Sequence, residues 1–222
     1  MFGASLLSIS SRSYAFSLSD ISNQDATSGL KAALEKGASV AVSKLGKQDG
    51  FLANDQVKIK LPGALEQAMP LLRMTGQGQK VDELVVSMNR AAESAVPMAK
   101  PLLLDAVKSM SVSDAKNILS GGETSVTDFF RQKTSSQLSS KFLPIVKGVT
   151  DRNGLSAKYN ATMGQVAKTG LVSGDQATVE TYVTQRALDG LFFMIGEEEK
   201  SIRRDPVGAG SAIIGKVFGA MK

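Results

Sequence analysis

Ala187-Leu188-Asp189-Gly190-Leu191-Phe192-Phe193-Met194-Ile195 is the stretch whose reading decides the fold. Successive residues of an α-helix turn by about 100°, so the apolar side chains of this stretch cover nearly every direction around the axis. A helix that is apolar all round must be enclosed by other elements. The surrounding helix runs over roughly residues 177–204 and stops before Pro206, which cannot continue it. The expected fold class is therefore all-α, a compact bundle of about eight helices around this central hydrophobic helix.

The rest of the chain fits that frame. Leu30, Ala33, Leu34, Ala38, Ala41, Val42 and Leu45 recur at steps of three and four, with Gly46 placed to end the helix. A turn-rich connection over residues 46–52 follows. Val57, Ile59 and Leu61 then alternate with Lys58 and Lys60 ahead of Pro62, the one strand-like pattern in the sequence, equally readable as extended coil packed on helices. A helix is expected over 63–74. Val81, Leu84, Val85, Met88, Ala91, Ala92 and Ala95 form the clearest apolar stripe, and Pro97 and Pro101 are expected to bend or restart that helix before Met110. Ser113 is the expected N-cap of a short helix ending at Gly121-Gly122. Another helix starts at Thr124 or Ser125 and buries Val126, Phe129, Phe130, Leu138, Phe142, Ile145 and Val146, with a turn at 151–154. Residues 155–168 read as weakly helical and 170–175 as a loop. After Pro206, an amphipathic segment places Val207, Gly210, Ile213, Ile214, Val217, Phe218 and Met221 on one face. Ser211, Gly215 and Gly219 form a row of small residues beside it. That row suits close docking on the protein's own core, or approach to a membrane or a second helix.

Composition narrows the chemistry. The 222 residues contain no Cys, His or Trp. Disulfides, thiolate nucleophiles, imidazole bases and imidazole metal ligands are thereby excluded, and with them Ser-His-Asp and Cys-His catalysis. Any catalysis would fall to carboxylates, Lys, Tyr or Ser-Lys arrangements, so an enzyme is the less favoured reading. No cofactor is expected. The formal charge of +5 comes from 26 Lys+Arg against 21 Asp+Glu. These cations are scattered, without the concentrated basic face of a nucleic-acid-binding protein, so no nucleic-acid partner is expected. No apolar run reaches the ~18 residues that would span a bilayer.

The first fifteen residues read as a leader. Residues 2–9 form a short apolar stretch, and Ser13-Tyr14-Ala15 places small residues at −3 and −1 of a cut before Phe16. No Lys or Arg precedes the apolar run, and Arg12 sits close to the cut. The expected organisation is a short or truncated signal peptide over 1–15 and one helical domain over 16–222, with a periplasmic or otherwise exported location.

Several strings carry a resemblance. They are Gly50-Phe51-Leu52 with Val57-Lys58-Ile59, Ser87-Met88-Asn89-Arg90-Ala91-Ala92-Glu93, Ala99-Lys100-Pro101, Phe129-Phe130-Arg131, Lys141-Phe142-Leu143-Pro144-Ile145-Val146, Tyr182-Val183-Thr184 and Ala187-Leu188-Asp189-Gly190-Leu191-Phe192. Together they resemble an uncharacterised bacterial domain-of-unknown-function family, family 4197, over roughly residues 18–219. The resemblance implies an exported protein and brings no activity, substrate or catalytic residue with it.

Four polar residues are singled out as site candidates: Asn89, Arg90, Arg131 and Asp189. Asn89 and Arg90, with Glu93, border the clearest apolar stripe. They could bind a polar headgroup or an anion, but a solvated face is the favoured reading. Arg131, with Lys133, follows two phenylalanines and could hold an anion or simply lay its stem over core surface. Asp189 falls inside the all-round apolar stretch, so it is expected to be buried and paired, with Arg186 at i−3 as a partner. Glu197-Glu198-Glu199 cannot converge on one metal from a single helix, and the triplet reads as solvent-exposed and salt-bridged to Lys200, Arg203 and Arg204.

Three functions remain open. The first and preferred is an exported non-enzymatic protein binding a partner or an apolar, lipid-like ligand between its helices. The second is a carboxylate-dependent hydrolase or lyase, and the third a peripheral structural protein associated with an envelope protein or membrane.

Overall fold

The computed structural model describes residues 17–167 and 178–221. The proposed leader and the loop expected at 170–175 lie outside them. The described residues form eight α-helices and a 3-10 turn, with no strand among them. The helices are α1 (Asn23–Leu45), α2 (Gly63–Met74), α3 (Gly78–Ser109), α4 (Ala115–Leu119), α5 (Ser125–Arg152), α6 (Leu155–Ala167), α7 (Val179–Arg204) and α8 (Ala212–Gly219).

Four long helices make the core. α1 and α5 each pack against both α3 and α7. α7 also meets α3, α6 and α8, which makes it the enclosed element that its composition demands. Ala187, Leu188, Gly190, Leu191, Phe192, Met194, Ile195 and Gly196 are all buried. α2 and α6 lie on α3, and α8 lies on α1.

Two close helix approaches rely on glycines of α1. A Cβ on Gly29 would lie 2.6 Å from Val217 of α8, and one on Gly37 would lie 3.1 Å from Ile195 of α7. The small-residue row of α8 has no such role. Around Gly219 nothing comes within 4 Å, and Gly215 meets only the Pro206 carbonyl at 3.6 Å. α8 docks on the core through Ile214, Val217 and Phe218, and the glycine that permits it lies on the opposing helix; Val207, expected on the same face, lies in the turn before α8 and is exposed.

Caps mark several helix starts. Ser22 accepts from the Asp25 amide and Thr178 from the Thr181 amide. The short helix α4 is capped by Asp114, which accepts from the Asn117 amide, rather than by Ser113.

Pro97 and Pro101 do not restart their helix, since α3 is continuous from Gly78 to Ser109. Both prolines, like Pro70 in α2 and Pro144 in α5, sit on exposed faces. A carbonyl that loses its helical donor there can bond water instead. On the opposite side Ala95, Val96, Ala99 and Leu103 remain buried and hold the helix together.

The segment around Val57, Ile59 and Leu61 pairs with no strand. Its three apolar side chains are nevertheless buried, so the period-two pattern reports an extended chain with one face on the helices. Among the described residues no helix is long and apolar enough to cross a membrane.

Candidate functional site: a cleft between α5, α7 and the extended segment

The extended segment, the N-terminal half of α5 and the middle of α7 enclose an open cleft of about 430 Å³. Val57, Ile59, Phe192 and Phe193 are its apolar lining, and of these only Phe193 is part-exposed. Four cations (Lys58, Arg131, Arg186, Lys200) and three carboxylates (Asp128, Asp189, Glu197) line it as well.

Each wall is held by a buried polar side chain. On one side Asn89 of α3, fully buried, accepts from the Ile59 amide at 2.9 Å and donates to the Ile59 carbonyl at 2.8 Å. It thus completes both backbone groups of a residue that has no sheet partner. One turn on, Glu93 is only 4% exposed and accepts from the amides of Phe51 and Leu52, both at 3.0 Å. Arg90 joins Glu93 (2.6 Å) to Asp49 (2.8 Å), and these hydrogen bonds raise its pKa. The Tyr182 hydroxyl donates to the Lys60 carbonyl at 2.9 Å and ties the same segment to α7. Burial raises the pKa of that phenol, which keeps it a donor.

The second wall is the start of α5. Glu199 of α7, 3% exposed, accepts from the amides of Val126 (3.1 Å) and Thr127 (2.8 Å) and from the Thr127 hydroxyl (2.7 Å). Arg203 pairs with it at 2.8 Å. These are first-turn amides with no partner inside their own helix, so Glu199 acts as a cap supplied from outside.

Inside the cleft, Asp189 is the meeting point. Its Oδ1 accepts from Arg131 at 3.0 Å and its Oδ2 lies 3.2 Å from Arg186. Gln185 donates to Oδ1 at 3.2 Å. The Arg131 guanidinium also lies 5.1 Å above the Phe192 ring, and Phe192 meets Phe130 edge-on at 5.8 Å. At the cleft margin Lys200 donates to Glu197 at 2.8 Å, a bond that raises the lysine pKa, and the Thr124 hydroxyl donates to Asp128 at 2.9 Å.

The four candidate residues therefore separate into two groups. Arg131 and Asp189 meet in the cleft, whereas Asn89 lies behind its wall and Arg90 lies away from it, part-exposed between Glu93 and Asp49. Asp189 is not buried: its side chain is 33% exposed because its direction on α7 opens onto the cleft. Arg186 is its partner as expected, and Arg131 is a second. Asn89 and Glu93 are not on a solvated face but point inward, Asn89 onto the extended segment and Glu93 onto the turn before it. Glu199 likewise departs from the solvent-exposed triplet, while Glu197 pairs with Lys200 and Glu198 lies 3.6 Å from Lys36. The three glutamates diverge as helical geometry requires, and no cluster of three potential metal ligands occurs among the described residues. Lys58, Thr124, Asp128 and Phe193 are lining residues that sequence reasoning missed. Only Lys58 carried a signal, as the outward residue between buried Val57 and Ile59.

Comparison with curated proteins and with solved structures returns no match. A protein-family match extends over residues 20–219, nearly all of the described chain and every element that builds the cleft. The chain belongs to the family described as "Protein of unknown function (DUF4197)".

Proposed function

We propose that the protein is an exported, non-enzymatic binding protein that takes a small ligand in the cleft between α5, α7 and the extended segment. The observation that carries this reading is the cleft itself. An opening of about 430 Å³ that sets the part-exposed Phe193 among seven charged side chains has the size of a small-molecule site and a lining suited to a charged ligand. Its walls are pinned by Asn89, Glu93 and Glu199, so the site is preorganised, and binding carries little cost of loop ordering.

Binding is favoured over carboxylate catalysis by how the acids are placed. Asp189 is bracketed by two guanidiniums, Glu197 by Lys200, and Asp128 by a hydroxyl. An acid-base pair needs two groups set in different environments, and these three are all in polar contacts. Export is supported by the apolar stretch at 2–9 and the small residues Ser13 and Ala15.

The test is mass spectrometry on protein purified from its native cells, under native and then denaturing conditions. The expected result is a chain starting at Phe16 and a small molecule lost on denaturation. A chain that retains Met1 would overturn export. Native protein with no bound mass, and none taken up from a small-molecule extract of the same cells, would overturn the binding reading.

A further inference from the structure

Resting on that reading of the cleft, we infer that its ligand is a free organic monoanion, with a carboxylate held by Arg131 and Arg186 and an apolar body against the part-exposed Phe193. Two guanidiniums share one carboxylate here, and each reaches Asp189 through a single nitrogen, Nη2. A guanidinium carries five N–H donors in a planar fork suited to bidentate carboxylate binding. Both side chains line the cleft and are 46% exposed, so each keeps N–H donors that Asp189 does not occupy.

The charge balance selects the ligand's charge. Four cations face three carboxylates, an excess of one positive charge. Asp189 in this arrangement partly neutralises the arginine pair while the cleft is open to water, and an incoming carboxylate competes with it for the same donors. The size of the cleft selects the body. About 430 Å³ lies toward the lower end of small-molecule sites, enough for a single ring or a short branched chain. Two acyl chains would find no comparable apolar surface, which separates a free anion from a phospholipid headgroup.

The experiment uses the full chain with benzoate and its neutral isostere benzamide, read by calorimetry and by backbone amide shifts. Benzoate is expected to shift the amides of Ile59, Asp189 and Phe193, with benzamide at least about tenfold weaker. Arg131→Gln and Arg186→Gln should each weaken benzoate about tenfold, the scale of one charge-assisted hydrogen bond. Asp189→Asn supplies the discriminating result: removing the internal competitor should tighten benzoate several-fold, whereas a merely structural Asp189 would make the variant bind worse. Equal binding of benzoate and benzamide at the cleft amides would overturn the monoanion and leave the cleft reading standing. Shifts confined to residues outside the cleft, or no shift with either probe, would overturn the monoanion, while the cleft reading falls only if the native protein also carries and takes up no small molecule. Arginine-dependent binding to phosphatidylglycerol vesicles without benzoate binding would overturn the free anion in favour of a lipid headgroup.

Discussion

Replacing Asn89 by alanine tests whether the wall of the cleft is held as described. The side chain of Asn89 makes two hydrogen bonds to one residue, accepting from the Ile59 amide and donating to the Ile59 carbonyl. Ile59 is 1% exposed, so neither group can turn to bulk water once Asn89 is gone. A buried polar group left without a partner costs about 1–3 kcal/mol, which gives roughly 2–6 kcal/mol for the pair. Releasing the segment would satisfy both groups but would expose Val57, Ile59 and Leu61. At roughly 1.5–3 kcal/mol for each side chain, that is about 5–9 kcal/mol, the larger cost. The segment should therefore stay docked, with the penalty appearing in the stability of the whole protein. In urea unfolding followed by helical circular dichroism, the midpoint should fall at unchanged slope, by an amount equivalent to roughly 2–6 kcal/mol. Asn89→Asp should be no milder, because it keeps the acceptor but sets an unpaired charge against the Ile59 and Val85 carbonyls. A loss below about 0.5 kcal/mol in the alanine variant, the usual range for surface substitutions, would refute the reasoning.

Three further perturbations probe the same frame. Gly190→Ala would put a Cβ 2.7 Å from the buried Phe51 ring and should destabilise by about 1–3 kcal/mol in thermal melts, with partial relief from Phe51→Leu. Glu199→Gln removes the buried partner of Arg203 and sets an amide against the Val126 and Thr127 donors. The expected loss is about 3–5 kcal/mol in chemical denaturation, with faster hydrogen exchange at the start of α5. Asp25, on the surface, has its pKa lowered by hydrogen bonds from Lys216 and then Ser22. A depressed folded-state value means that its contribution is present above the unfolded carboxylate value and disappears as pH falls through the folded one. Lys216→Met should therefore raise the Asp25 pKa seen by NMR. The stability curves of variant and parent should separate above the ordinary carboxylate value of about 4 and converge as pH falls below it.

The fold was legible because its signal is redundant. In α7 the apolar residues from Ala187 to Ile195 surround the axis, and no exposed helix could carry them. In α1 and α3 the spacing of Leu30, Leu34 and Ala38, and of Leu84, Met88 and Ala95, marks the buried face directly. The prolines misled because their effect depends on the face they occupy: Pro97 points outward, where water can replace the missing donor. The cleft was half legible. Arg131 and Asp189 stood out as charges beside large apolar residues, yet they are fifty-eight positions apart in sequence, and only the packing of α5 on α7 brings them together.

The residues most thoroughly misread, Glu93 and Glu199, show why polarity alone cannot separate a surface from a joint. Each is a helical glutamate beside an apolar stripe, each is within one turn of an arginine on its own helix, and each accepts two consecutive amides from another segment. α3 uses its pair to hold residues 51–52, and α7 uses its pair to hold the first turn of α5. Burying a carboxylate is costly unless hydrogen bonds and a counter-charge compensate, and here both are present at both positions. What these units stabilise is backbone that the helices' own ladders leave unsatisfied: a turn before an extended segment, and a helix N-terminus. Those two stretches lead into the opposite walls of the cleft. The same arrangement at both places makes the separation between the walls a consequence of how α3 and α7 pack. A substitution at Glu93 or Glu199 should therefore alter the ligand affinity of a cleft that neither residue touches.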